Sequence, residues 1–317
     1  MKRLLAPVVA LAVGACTPAL TPRGPDLQTA KMTADSFEME DGAKLPYRVW
    51  NPTGAVANEA PRAVILALHG FNDHSRAWTM PAESWAARGI ATYAYDQRGF
   101  GRSPGRGLWP GTDALVEDLA TTLSLVRARH PGISVFVAGE SMGGAVAMVG
   151  MARGRINEAD GSVLVAPAVR GRSTLMFFER WWLWLLFNTI PGFAPTVSAP
   201  GIQPSDNYEM LRELSADPLV LKRTRVDSLK GLVDLMDESL ASAPKITLPS
   251  IILVGAQDTL IPSGPMATML ENLPPAPPAD RTVTTYPAGF HMLLRDRQRG
   301  RVHADIADWV LAHARHR

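Results

Sequence analysis

A chain of 317 residues, 46% hydrophobic and 20% charged, has the composition of an ordinary globular protein and the length for one full core carrying an insertion. Its formal charge of +2 includes Lys2 and Arg3 in a segment that reads as removable, so the remainder sits near neutrality and exerts no long-range pull on nucleic acid. A single cysteine excludes a disulfide framework, and no Cys/His spacing suits a metal ion.

The chain opens with "MKRLLAPVVALAVGACTP", two basic residues followed by an apolar run that ends in small residues before Cys16. The run is too short to span a bilayer and reads as a secretory signal over residues 1–15. "VGAC" resembles a bacterial lipoprotein box, which implies that Cys16 is acylated and becomes the first residue; each buried methylene would add about 0.8 kcal/mol to membrane attachment. Thr17, in place of an aspartate, resembles the pattern sent to the outer membrane of Gram-negative bacteria, so the expected location is the cell envelope. A plain signal peptide and an unprocessed cytosolic terminus are the alternatives. Residues 16–33, Pro- and Thr-rich without an apolar period, read as a tether.

Next, "FEMEDGAKLPYRVW" predicts two strands about the Asp41-Gly42 turn. Apolar runs at 63–68, 91–95, 133–138, 162–165, 251–254 and 281–286 then alternate with helical patterns such as 114–129, where Leu115, Leu119, Leu123 and Val126 share a face. This predicts an α/β fold, a mostly parallel central sheet with helices on both faces, whose active site belongs at the carboxyl ends of strands. Residues 34–169 and 244–317 form that core. Residues 170–243 exceed what one crossover helix needs and read as an inserted helical lid.

In "VFVAGESMGGAVAMVG" a strand runs into Gly139-Glu140-Ser141-Met142-Gly143, the G-x-S-x-G spacing of a nucleophile elbow, where flanking glycines relieve a sharp turn that exposes the serine at a helix start. A Gly-rich helix start packed on the sheet is the structural alternative. A serine nucleophile needs a base and an orienting acid, which in a fold of this kind follow it in the chain order Ser, Asp or Glu, His. Of His291, His303, His313 and His316, only His291 lies in a loop past the last strand. Asp258 follows the penultimate strand, whereas Asp160, Asp206, Asp217, Asp227, Asp234, Asp237 and Asp280 follow no predicted strand. The backbone N–H groups of Phe71, in "LALHGFNDHS", and Met142 are the expected oxyanion donors. His69 and His74 could instead be metal ligands, but no clustered carboxylate or third histidine accompanies them.

With these residues placed, the chain from about Phe37 onward resembles the α/β-hydrolase superfamily, in particular its monoacylglycerol lipase and lysophospholipase-like branch. "YDQRGFGRSPG" looks like its Asp-x-Arg-Gly-x-Gly-x-Ser segment, "GESMGG" its elbow, and "LSADPLV" a recurring piece of its lid. The resemblance implies a serine ester hydrolase acting on single-chain lipid esters through Ser141, Asp258 and His291, with no cofactor or metal. Two departures are Phe71, where the family often has a small residue, and the aromatic lid segment "FFERWWLWLLFNTIPG". That segment, apolar nearly all round a helix, is either packed under the cap or pressed on a membrane surface, with Trp181, Trp182 and Trp184 as candidate substrate contacts. An aminopeptidase or thioesterase on the same scaffold, the former using Asp234, Asp237 or Glu238 for a substrate ammonium, and a non-catalytic lipid-binding envelope protein are the rivals. Ser141 disfavours an Asp-nucleophile dehalogenase or epoxide hydrolase. No feature of the pattern speaks to oligomeric state.

Overall fold

A computed structural model describes residues 17–196, 201–275 and 280–314. Residues 1–15, expected to be a signal segment, and Cys16 lie outside the described residues. Four central strands, β4 (Ala63–Leu68), β5 (Ile90–Tyr95), β6 (Val135–Glu140) and β7 (Gly161–Val165), are buried at every position, which is why their sequences are continuously apolar. Together with β1 (Lys31–Met32), β2 (Ser36–Glu38), β3 (Lys44–Trp50), β8 (Ser250–Gly255) and β9 (Arg281–Tyr286) they form one sheet in the order β1-β2-β3-β5-β4-β6-β7-β8-β9. The first three strands and the β3–β5 pair are antiparallel; every pair from β5 through β9 is parallel.

Side chains alternate between two cores. Val64, Leu66 and Leu68 meet Leu115, Leu119 and Leu123 of α2 (Thr112–Arg129) and the Ala/Val/Met face of α3 (Met142–Ala152). Ala63, Ile65 and Ala67 meet Trp85 of α1 (Thr79–Ala86) and Val302, Ile306 and Val310 of α8 (Arg299–His313). Both faces are thus covered, and the parallel strands deliver the loops after β4, β6, β8 and β9 to a single edge.

Between β7 and β8 lies the lid, with α4 (Phe177–Thr189), α5 (Tyr208–Ala216) and α6 (Val226–Ser242); α7 (Ser263–Glu271) follows β8. Helix α6 is its root. Gly231 admits the ring of Trp109, and Ser239 Oγ donates to Met148 Sδ of α3 at 3.4 Å. Helix α4 has no buried residue: Phe177 is 83% and Trp184 62% exposed. No helix of the described residues is long and apolar enough to cross a membrane.

The stretch expected to hang free as a tether is laid against the body. Ala19 N–H donates to Asp227 Oδ2 of α6 at 3.0 Å, Thr21 N–H to Trp109 O at 3.0 Å, and Arg23 pairs with Glu40 at 3.0 Å before β1 joins β2. Its backbone groups are satisfied one at a time by neighbours rather than by an element of its own, and so no periodicity marks it.

Candidate active site

Ser141 sits at φ 54°, ψ −115°, between the end of β6 and the first turn of α3. A side chain in this left-handed region is strained and needs support from its surroundings. The backbone supplies it: Ser141 N–H donates to Val165 O at 2.9 Å, and its carbonyl accepts from Ala145 and Ala168, each at 3.0 Å. The flanking glycines are steric necessities. A Cβ on Gly139 would stand 2.4 Å from the Gly143 carbonyl carbon, and one on Gly143 2.2 Å from Leu68 O of β4.

Asp258 lies past β8, its N–H closing a turn on Gly255 O at 3.2 Å. One carboxylate oxygen accepts from Leu260 and Ile261 N–H at 2.8 and 2.9 Å; the other meets His291 Nδ1 at 2.7 Å. Both side chains are nearly sealed from solvent. With Nδ1–H directed at the carboxylate, Nε2 is left as the basic nitrogen, and His291 and Ser141 line the same cavity. Ser141 Oγ makes no hydrogen bond among the described residues, a looseness common at such sites before substrate draws the groups together. Of the other aspartates between serine and histidine, Asp160 is engaged with Arg127, Asp206 with the Arg297 N–H, Asp217 with His74, Asp227 with Arg225, and Asp234 and Asp237 with Arg172; neither these nor Asp280 line the cavity.

Gly70, Phe71, Asn72 and Asp73 make a turn closed by Asp73 N–H to Gly70 O at 3.3 Å, with Asn72 at φ 66°. This turn borders the serine, since a Cβ on Gly70 would lie 3.5 Å from Ser141 Cβ. Phe71 N–H is spent on no acceptor in the turn, and Met142 N–H is an unpaired donor of the first turn of α3. The Phe71 ring lies edge-on to Phe100 at 5.5 Å between centroids, and Phe71 lines the same cavity as Ser141. His69 and His74 are structural here. Buried His69 donates from Nδ1 to Gly70 O at 2.8 Å and accepts from Gln97 N–H at Nε2 at 3.0 Å, and burial holds its pKa below the ordinary histidine value. His74 Nε2 is bonded to Asp217 Oδ2 at 3.1 Å, which fastens the "LSADPLV" piece of the lid to the Phe71 loop.

The cavity measures about 590 Å³, within the range of small-ligand sites. Its wall is apolar, with Leu175, Leu183, Leu232, Val233, Met236 and Ile261 prominent. Trp181, Trp182 and Trp184 do not line it. From α4 only Glu179 and Leu183, one turn apart, face inward, so the tryptophans fall on the outer side of the helix and are not contacts of this cavity. A helix apolar on all sides gives no sequence cue to which face turns in.

Reading the sequence alone misses a buried cluster at the floor. Arg295 donates from Nη1 to Asp73 Oδ2 at 2.8 Å and from Nη2 to Glu140 Oε2 at 3.0 Å, all three groups being buried. Its neighbour Asp296 accepts from Ser205 Oγ of the lid at 2.5 Å and from Phe290 N–H at 2.8 Å. The available signal was charge in a buried context: Arg295-Asp296 directly follows Leu293-Leu294, and Glu140 ends an apolar strand.

Residues 59–298 match the family model described as "Serine aminopeptidase, S33". The monoacylglycerol lipase of Mycolicibacterium smegmatis is 26% identical over 280 residues, covering 88% of this chain and 96% of that protein. The human monoglyceride lipase is 27% identical over 261 residues, 81% of this chain and 82% of that one. Among solved structures, a soluble variant of the Saccharomyces cerevisiae monoglyceride lipase in complex with a substrate analog superposes with a TM-score of 0.72 at 23% identity, over 94% of this chain and 100% of that one. The Paleococcus ferrophilus monoacylglycerol lipase gives 0.70 at 22%, over 85% and 99%. The sheet order, the elbow after β6 and the inserted lid are those of the α/β-hydrolase fold, and the chain belongs to the serine aminopeptidase S33 family of hydrolases.

Proposed function

We propose that this protein is a serine carboxylic ester hydrolase acting on single-chain lipid esters of the monoacylglycerol or lysophospholipid type. The observation that carries the reading is the 2.7 Å His291–Asp258 pair beside a strained Ser141 on an apolar cavity of about 590 Å³. Ser141 Oγ attacks the ester carbonyl carbon as His291 Nε2 takes its proton, and Asp258 holds the imidazole and stabilises its charged form. The N–H groups of Phe71 and Met142 receive the oxyanion. Collapse of the tetrahedral intermediate breaks the bond to the alcohol, which leaves with the proton from His291. Water, deprotonated by the same nitrogen, then releases the fatty acid from the acyl-enzyme. The names of the relatives support a monoacylglycerol as substrate.

An aminopeptidase would need a free carboxylate for a substrate ammonium. The carboxylates lining the cavity are all engaged: Asp73 and Glu140 with Arg295, and Glu179 with Arg170 at 3.3 Å. Asp234 and Asp237 are held by Arg172, and Glu238 by Arg153. This disfavours recognition of an amino-terminal ammonium and favours the ester reading over the aminopeptidase one.

The outward aromatic face of α4 and the envelope signal in the sequence support a membrane surface as the working environment, with Cys16 as lipid anchor. The course of the amino-terminal stretch agrees. Ala19 is bonded to Asp227, whose own N–H donates to Pro191 O just past α4, so the chain emerges beside the exposed helix.

A fluorophosphonate probe tests the chemistry. Wild-type protein is expected to label and Ser141→Ala to stay unlabelled; labelling that persists in Ser141→Ala contradicts the proposal. A panel of monoacylglycerols, lysophospholipids and amino-acyl amides should show turnover of the esters alone.

A further inference from the structure

Arg295 occupies the point where three catalytic loops converge. Its guanidinium bridges Asp73, which closes the turn carrying the Phe71 donor, and Glu140, the residue before Ser141. Its own N–H donates to Met292 O at 2.8 Å, so the same residue is tied to the loop that presents His291 four positions earlier. Asn207 of the lid donates to its carbonyl at 2.8 Å, adding the lid to the junction. The groups are buried and strongly coupled. Burial alone would push all three toward neutrality; Arg295 nevertheless holds the Asp73 carboxyl below the usual carboxylate range, while Glu140, which has one oxygen without a partner, is raised by its burial. A fully desolvated fork with two carboxylate partners has a fixed geometry, unlike a flexible ammonium.

We propose that Arg295 is a positioning residue: its bidentate bridge between Asp73 and Glu140 sets the distance between the oxyanion donor at Phe71, the nucleophile Ser141 and the base His291. It acts on the transition state through these groups and has no part in proton transfer. The inference rests on the serine hydrolase reading above and adds to it a residue outside the triad and the oxyanion donors. Arg295 also faces both the substrate cavity and a smaller cavity of about 110 Å³ behind the Phe71 loop, so a small cation can reach the position once the side chain is removed.

The test uses the full chain and a short water-soluble p-nitrophenyl ester, with active sites titrated so that turnover is counted per competent serine. Arg295→Lys keeps one positive charge but cannot bridge both carboxylates in one plane. Its kcat is expected to fall about tenfold or more with KM within about twofold of wild type, since a misplacement near 1 Å can cost about 10²-fold. Arg295→Ala should fall further and recover part of its kcat on addition of guanidinium at a non-denaturing concentration, but not with sodium. A purely structural role predicts fewer titratable sites with unchanged kcat per site; a substrate contact predicts a raised KM with kcat unchanged; either result overturns the proposal. Where Arg295→Ala does not fold, Arg295→Lys decides alone. Ser141→Ala in the same assay separates the two levels: if it remains active the hydrolase reading fails, whereas an inactive Ser141→Ala beside a fully active Arg295→Lys rejects only the positioning role.

Discussion

Asp296 is fully buried, and its carboxylate is shared between a lid hydroxyl, Ser205 Oγ, and the amide of Phe290 next to His291. Burial pushes its pKa up to about 6 from 3.8, with the two hydrogen bonds opposing the shift. The folded state therefore holds more protons than the unfolded state between about pH 4 and 6. This contribution to stability is complete below that window and lost as pH rises through it. At about 1.4 kcal/mol per pH unit, the loss amounts to about 3 kcal/mol. Asp296→Asn keeps an acceptor for Phe290 and abolishes the titration. Urea unfolding from pH 4 to 7 should show the wild type losing ground to the variant by up to about that amount; parallel curves would refute it. The elbow at Ser141 and the Asp258–His291 pair were legible in the sequence because the fold places each of them in a loop just after a strand. Arg295 and Asp296 were not, because a charged pair reads as a surface feature until burial is known.

The elbow is a contact between two elements, α3 and β4, as much as a local turn. Since a Cβ on Gly143 would overlap a β4 carbonyl, Gly143→Ala must push the start of α3 off the sheet, carrying Ser141 and the Met142 N–H with it. The expected result is a loss of about 1–3 kcal/mol in stability and about 10²-fold in turnover. Gly264→Ala, in the open first turn of α7, is the control and should be neutral or stabilising by up to about 1 kcal/mol. Thermal unfolding and ester turnover of the two variants distinguish this from a general intolerance of alanine. Element boundaries were mostly legible. The strand expected at 133–138 begins instead at Val135, because Ile133 N–H closes a turn on His130 O. It continues through Gly139 and Glu140 because β7 pairs with both, a tertiary contact that composition does not report.

At the scale of the molecule, the lid gathers the first described residues beside α4: Ala19 N–H donates to Asp227 Oδ2 at the start of α6, and Asp227 N–H donates to Pro191 O just past α4. The lid's presence was legible from the surplus between strands; its orientation was not, because "FFERWWLWLLFNTIPG" is apolar in every direction. The structure puts Leu183 inward and Trp181, Trp182 and Trp184 outward. Replacing the three tryptophans with serine should lower turnover of monoacylglycerol in liposomes about tenfold or more, since each loses an interfacial anchor, and leave a short soluble p-nitrophenyl ester within about twofold. Equal losses on both substrates would mean that the tryptophans support the lid's folding or its catalysis rather than its docking.

The fastening of Ala19 to Asp227 also changes what an attachment at the amino end would do. A slack tether over residues 16–33 would let the body tumble and present any side to its surroundings. Pinned at the lid's root through Ala19, the described stretch leaves almost no leash, so a grip at Thr17 would become a bearing: it would fix which way the enzyme points as well as where it is.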